Sequence, residues 1–339
     1  MRLLLSDSGS CTGGIGRSRG VSLVELIVVI TISGIIAAVL GNIIVRPIQG
    51  YESQVRRAAL VDAAEMTVRR LGRDIRQALP NSVRVRDALG NTNTVSCSTA
   101  GAICSIEMLN TVDGARYREG PGGPIPPANH PHGLPQYRLK FNGADTDGFN
   151  IVGEFQNFRP TLPFNSTTER LAIYNQTATG ANNAYAEASL ASGPYVITNP
   201  NLPQNTRFTI QNDGGGDEWQ IVPVGNPNFN FRWASPNQRV FIVDTPVTYV
   251  CNPGANGTIT RYWNYAITDP QPTNPAAPPL STPGVPNALL TTPVSACSFT
   301  YTAGTNQRAG LVTLTITLRD NASNEQVNML YQAHVDNAP

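Results

Sequence analysis

Few side chains in this sequence stand where they could do chemistry, and the most demanding of them is a carboxylate. Glu25 lies in "RSRGVSLVELIVVITISGIIAAVLGNIIVRP", residues 17–47, and no charged residue follows it until Arg46. An ionised side chain in hydrocarbon costs at least ~2.5 kcal/mol on insertion scales, so a carboxylate kept there calls for a partner. The other candidates are weaker. "GRSRG", residues 16–20, fits the G-x-S-x-G pattern of a nucleophile elbow, but it follows no strand and precedes no helix with an oxyanion hole. His130 and His132 in "NHPHG" sit among prolines and glycines, the setting of a surface loop. His334 shares a strand face with Asp336, yet no serine or cysteine in a suitable context completes a triad. "NGADTDGFN" (Asp145, Asp147) and "QNDGGGDEW" (Asp213, Asp217, Glu218) offer the oxygens calcium takes, but neither completes an EF-hand and hairpin turns use the same residues. No catalysis, cofactor or metal is expected.

The cysteines are Cys11, Cys97, Cys104, Cys251 and Cys297. Cys11 precedes the apolar run, and the other four fall into two local groups. An oxidising compartment would allow Cys97–Cys104 and Cys251–Cys297, one of three possible connectivities. The second bond would close a loop of roughly 45 residues, worth ~4 kcal/mol in the chain-entropy model. The spacings match no usual zinc pattern.

The elements that must position these groups follow from composition and periodicity. Charged residues are 14% of 339 and the formal net charge is +1, which argues against a nucleic-acid-binding face. With 30 glycines and 27 prolines the chain fits a loop-rich, β-rich extracellular or periplasmic domain. Residues 26–45 are 20 consecutive uncharged residues, a helix that spans the ~30 Å of a bilayer core. Arg17 and Arg19 place the amino-terminal side in the cytoplasm and everything after Arg46 outside. A cleavable secretory signal, with Ala37 and Ala38 as small residues, or an uncut anchor would account for the apolar run. Neither accounts for Glu25 or for the order Gly20-Val21-Ser22-Leu23-Val24-Glu25.

Beyond the run, Leu60, Ala64, Val68, Leu71, Ile75 and Leu79 follow the spacing of one helical face, and Pro80-Asn81 ends that helix. Its arginines, with Asp62, Glu65 and Asp74 between them, are expected mostly on a solvated face. From about Asn81 the pattern is β-rich. "GLVTLTITLRD" alternates Val312, Leu314, Ile316 and Leu318 with threonines, a half-buried strand. Further strands are expected at 83–85, 138–141, 171–174, 207–210, 240–243, 247–251, 262–267, 297–301 and 327–335. Two proline-rich stretches, 120–135 and 269–286, are expected to be extended loops.

"RGVSLVELIVVITISGIIAA" resembles the class III signal of type IV pilins and pseudopilins. The resemblance implies that a prepilin peptidase cuts after Gly20 and methylates the new amino terminus at Val21. It also implies that Glu25 faces the charged amine of a neighbouring subunit during assembly. Val21 and Ser22 stand where the family mostly has phenylalanine and threonine. The continuation "PIQGYESQVRRAALVDAAEMTVRRLGRDIRQALPNSVRV" and the carboxy-terminal pieces "RVFIVDTPVTYVC", "LLTTPVSACSFTYTAGTNQRAGLVTLTITL" and "YQAHVDNAP" resemble the mannose-sensitive haemagglutinin (MSHA) pilus biogenesis family O. The implied protein is an α+β minor pilin: leader 1–20, transmembrane and assembly half-helix 21–45, amphipathic half-helix 46–80, and an antiparallel β-rich periplasmic head 81–339. Its implied partners are the prepilin peptidase, other minor and major pilins, the inner-membrane assembly platform and the membrane itself, without nucleic acid. It would sit in the inner membrane and then in a fibre at the cell surface. A J-type minor pseudopilin of type II secretion and a membrane-anchored adhesin that binds glycans are the competing readings.

Overall fold

The computed structural model describes residues 20–119, 137–141, 143, 145–190, 193–200, 207–213, 218–224, 228–305 and 307–335. The chain divides into two compact units, one up to Arg56 and one from Arg57 onward. Helix α1, Leu23–Arg76, runs through Pro47. Its first part is rich in Ile and Val, which are ordinarily mediocre helix formers. In an apolar solvent the helix is nonetheless favoured, because it satisfies its own backbone hydrogen bonds.

In the second unit Leu60, Ala64, Val68, Leu71 and Ile75 are all buried in one core, as their spacing predicts. The helix ends sooner than expected. The N–H of Ala78 turns back to the carbonyl of Ile75 (3.1 Å), and the N–H of Leu79 takes the carbonyl of Leu109 (2.8 Å). Leu79 is therefore buried beyond the helix, in a short segment that pairs with residues 109–111, not in a last helical turn.

The head is built from three sheets, all paired antiparallel, so the fold is α+β as expected. The first contains β1 (Arg84–Asp87), β3 (Cys104–Arg116), β9 (Arg239–Asn252), β10 (Thr258–Trp263) and β11 (Asn287–Thr291) in the order β1-β3-β9-β10-β11, with β6 (Arg170–Ala172) also on β9. The second has the order β14-β13-β12-β2, formed by β2 (Thr94–Cys97), β12 (Val294–Thr302), β13 (Leu311–Arg319) and β14 (Gln326–His334). The third has the order β4-β8-β7-β5, formed by β4 (Phe149–Ile151), β5 (Phe164–Asn165), β7 (Arg207–Asn212) and β8 (Trp219–Val224). A single-turn helix, α2 (Ala184–Glu187), is capped by Asn183.

The largest core joins the buried stripe of α1 to Val312, Leu314, Ile316 and Leu318 of β13 and to β3 and β9. A second core is aromatic, with Phe149, Phe229 and Phe231 in a chain of ring contacts at 5.5 and 5.7 Å. Gly148 makes the turn into this core at φ +81, and a Cβ there would run into the backbone of Ile221 and Val222.

The structure joins Cys97 to Cys104 and Cys251 to Cys297. Strand register explains what these bonds do. Cys104 lies opposite Cys251 in the β3–β9 pair, and Cys97 lies opposite Cys297 in the β12–β2 pair. Each disulfide therefore runs between the first sheet and the second, and the four buried sulfurs form one patch of the main core.

Three expectations need correction. The stretch 138–141 is not a strand. Only an isolated bridge from Leu139 to Glu119 forms, and the carboxylate of Asp145 takes the Lys140 N–H at 2.9 Å in place of a ladder partner. The strand expected at 262–267 stops at Trp263, where Asn264 adopts φ +56 and turns the chain. The strands expected at 240–243 and 247–251 are one strand that continues through Pro246. The proline-rich stretch 269–286 forms neither helix nor strand, but it is docked rather than loose: Leu280 is buried against Val250 and Tyr265. The stretch 120–135 lies outside the described residues.

Two stability outcomes follow. Leu71→Ala, at a fully buried position, should cost about 2–5 kcal/mol. Replacing both Cys251 and Cys297 by serine should cost about 2–5 kcal/mol. Denaturant midpoints of the purified chain measure both, and an unchanged midpoint in either variant would contradict this packing.

A candidate assembly helix

The functional candidate is the amino-terminal part of α1. Gly20, Val21 and Ser22 are exposed and precede the helix, and nothing lies within 4 Å of a Cβ built at Gly20. The Ser22 carbonyl accepts the N–H of Leu26 at 3.0 Å, which makes Ser22 the N-cap residue and places Glu25 in the first turn. There the carboxylate meets the positive end of the helix dipole. Ser22 and Glu25 also have the sequence spacing of a capping box. Yet among the described residues the Glu25 side chain has no hydrogen bond and no ion pair. Its charge is left for something outside the described chain.

The surface around it is apolar on every side. The large hydrophobic residues from Val21 to Val45 are each 47–74% exposed. Thr31 returns its hydroxyl to the carbonyl of Val28 at 2.9 Å, so this polar group inside the run is satisfied. The helix is long and apolar enough to cross a membrane.

Residues 15–41 match the family model described as the prokaryotic N-terminal methylation motif. The chain carries a type IV pilin-like signal. No curated protein and no solved structure matches the chain significantly. The signal and the apolar helix fit a single-pass inner-membrane pilin.

From Arg57 on, the same helix is anchored in the head by a group that periodicity did not single out. Asp74 is 4% exposed and accepts hydrogen bonds from the Tyr249 hydroxyl and from Arg261 Nε, both at 2.7 Å. Burial, and the Asp74 charge beside it, push the Tyr249 phenol well up, so Tyr249 remains a donor. Arg70 adds a longer contact to Asp74 at 3.5 Å. Nearby, Gly72 leaves room for the Tyr331 ring, whose hydroxyl accepts from Arg76 at 2.9 Å. Arg57, Arg69, Arg70, Arg73 and Arg76 are exposed, the solvated face expected of them.

The other candidates do not come together. Asp145 is fully buried and accepts from the N–H groups of Lys140, Asp147 and Gly148, while Asp147 pairs with Lys140 Nζ at 2.6 Å. Glu218 is held by Arg118, and Asp213 accepts from Asn150 at 2.8 Å. His334 is exposed at the end of β14. Among the described residues no cluster of three or more His, Cys, Asp or Glu is placed to hold a metal ion. Cys11, His130, His132, Asp217, Asp336 and residues 16–19 lie outside the described residues.

Asp74→Ala should cost about 3–5 kcal/mol, because it leaves Arg261, a side chain only 12% exposed, without its countercharge. Glu25→Ala should shift the unfolding free energy of the head by less than about 0.5 kcal/mol, as for a residue without partners among the described residues. Denaturation of both variants in detergent tests the contrast, and a large loss in Glu25→Ala would show a partner within the chain.

Proposed function

We propose that the chain is a non-enzymatic minor pilin of an MSHA-type type IV pilus. The observation that carries this reading is Glu25: a carboxylate without a partner among the described residues, in a helix that exposes apolar residues on all sides and bears the methylation motif. The precursor enters the inner membrane with its amino terminus in the cytoplasm. A prepilin peptidase cuts the exposed, non-helical peptide bond after Gly20 and methylates Val21. The assembly platform then draws the helix into a bundle of other minor and major pilins. There Glu25 pairs with a neighbour's terminal amine in the same apolar surroundings, and a subunit out of register leaves the charge unpaired. The head, held oxidised by its two disulfides in the periplasm, crowds its neighbours least at or near the fibre tip.

Mass spectrometry of the membrane-extracted chain, with and without prepilin peptidase, tests the processing step. A terminus at methylated Val21 that depends on the peptidase is expected. An uncut terminus, or one near Ala38, would sink the proposal. In cells, Glu25→Ala removes the partner of a buried amine at a cost of about 3–5 kcal/mol, enough to abolish incorporation into the fibre. Normal incorporation of that variant would contradict the pairing.

A further inference from the structure

Arg170 opens β6, opposite Val243 of β9, and is 8% exposed. Its Nη1 donates to the carbonyls of Thr198 (3.0 Å) and Ala188 (3.4 Å), which engages both hydrogens on that nitrogen. The three N–H groups on Nε and Nη2 have no acceptor among the described residues, and no carboxylate pairs with the guanidinium. Burial without a countercharge lowers its pKa to about 10. Arg84 shows what a purely structural buried arginine looks like in this head. Its Nε donates to Glu107 at 2.6 Å, its Nη1 to the Asp269 carbonyl and its Nη2 to the Thr268 carbonyl, so every nitrogen has an acceptor.

Arg170 forms part of the wall of a cavity of about 420 Å³, together with Asn264, Tyr265 and the turn at 282–285, with exposed Asp244 beside them. That volume is within the range of small-molecule sites, roughly 300–1,000 Å³. The Tyr265 hydroxyl is engaged elsewhere, with Glu107 (2.7 Å) and Thr248 (2.6 Å), so Tyr265 offers the cavity its ring. The turn is fixed by the Thr282 N–H on the Pro279 carbonyl (3.2 Å) and the Val285 N–H on the Thr282 carbonyl (3.1 Å).

We infer that this cavity binds a small hydroxylated monocarboxylate, the chemistry of a uronic acid. The side of a guanidinium formed by Nε–H and one Nη2–H matches a carboxylate with two parallel hydrogen bonds. Asp244 supplies an acceptor for hydroxyl groups, and its negative charge disfavours a dianion such as phosphate. The sugar ring lies against Tyr265.

The test is titration calorimetry on the full chain in detergent, with galacturonate, its neutral counterpart galactose, and inorganic phosphate. Galacturonate is expected to bind at least tenfold more tightly than either of the others. Arg170→Gln should weaken it at least tenfold, and so should Thr282→Trp, which narrows the cavity from an exposed position and leaves Arg170 itself unsubstituted. Galacturonate binding no tighter than galactose or phosphate overturns the inference. So does parental affinity in a variant that melts like the parent. If Arg170→Gln does not fold, Thr282→Trp and the ligand comparison decide the matter.

Discussion

A carboxylate in hydrocarbon must be neutralised, paired or kept out, and this constraint organises the amino-terminal part of the protein. Glu25 occupies the first turn of a helix whose following residues present Ile, Val and Leu on all sides. The helix dipole supplies only a partial positive charge there, roughly half an elementary charge. Nothing in the described chain completes it. The same helix changes character further on, where a single stripe of Leu60, Ala64, Val68, Leu71 and Ile75 is buried and arginines face water. One element thus carries two surface chemistries, and the change from all-round apolar to one-sided falls before Leu60.

The head holds its share of the helix by the opposite use of charge. Asp74 is buried with its partners in place: a phenol and a guanidinium from β9 and β10. Tyr249 and Arg261 are register partners in that strand pair, so one antiparallel pairing presents both donors to one helical carboxylate. The disulfides add a second constraint. With Cys104 opposite Cys251 and Cys97 opposite Cys297, both bonds run between sheets, and the first and second sheets cannot part around the helix without breaking them.

What could be read from sequence depended on how local the signal was. The helical stripe and the alternation of β13 are set by near neighbours, and both were legible. Strand β3 was not. "CSIEMLNTVDGAR" is buried through most of its length, so it has no polar face to alternate with, and its Asn, Asp and Gly suggest turns. Strand β9 was expected as two strands, 240–243 and 247–251, and the gap between them holds Pro246, which lacks an N–H. The structure accommodates it opposite Leu109, next to a shift in register. The third sheet was hardest, since β4 and β5 have three and two residues and are fixed by aromatic packing from distant segments. Among the candidate residues, Gly20 and Glu25 declare themselves in a short motif. Asp74 does not, because its partners are 175 and 187 residues away. Arg170 was also missed, since only the folded cavity shows that its remaining donors have no acceptor.

The central claim is that the Glu25 charge is satisfied by a subunit other than its own. Solid-state NMR on fibres assembled from two chain populations tests it most directly, with the Glu25 carboxyl labelled in one population and the terminal amine in the other. The pairing predicts a carboxyl–amine contact between differently labelled chains, within about 4 Å. No contact between the two populations would contradict it.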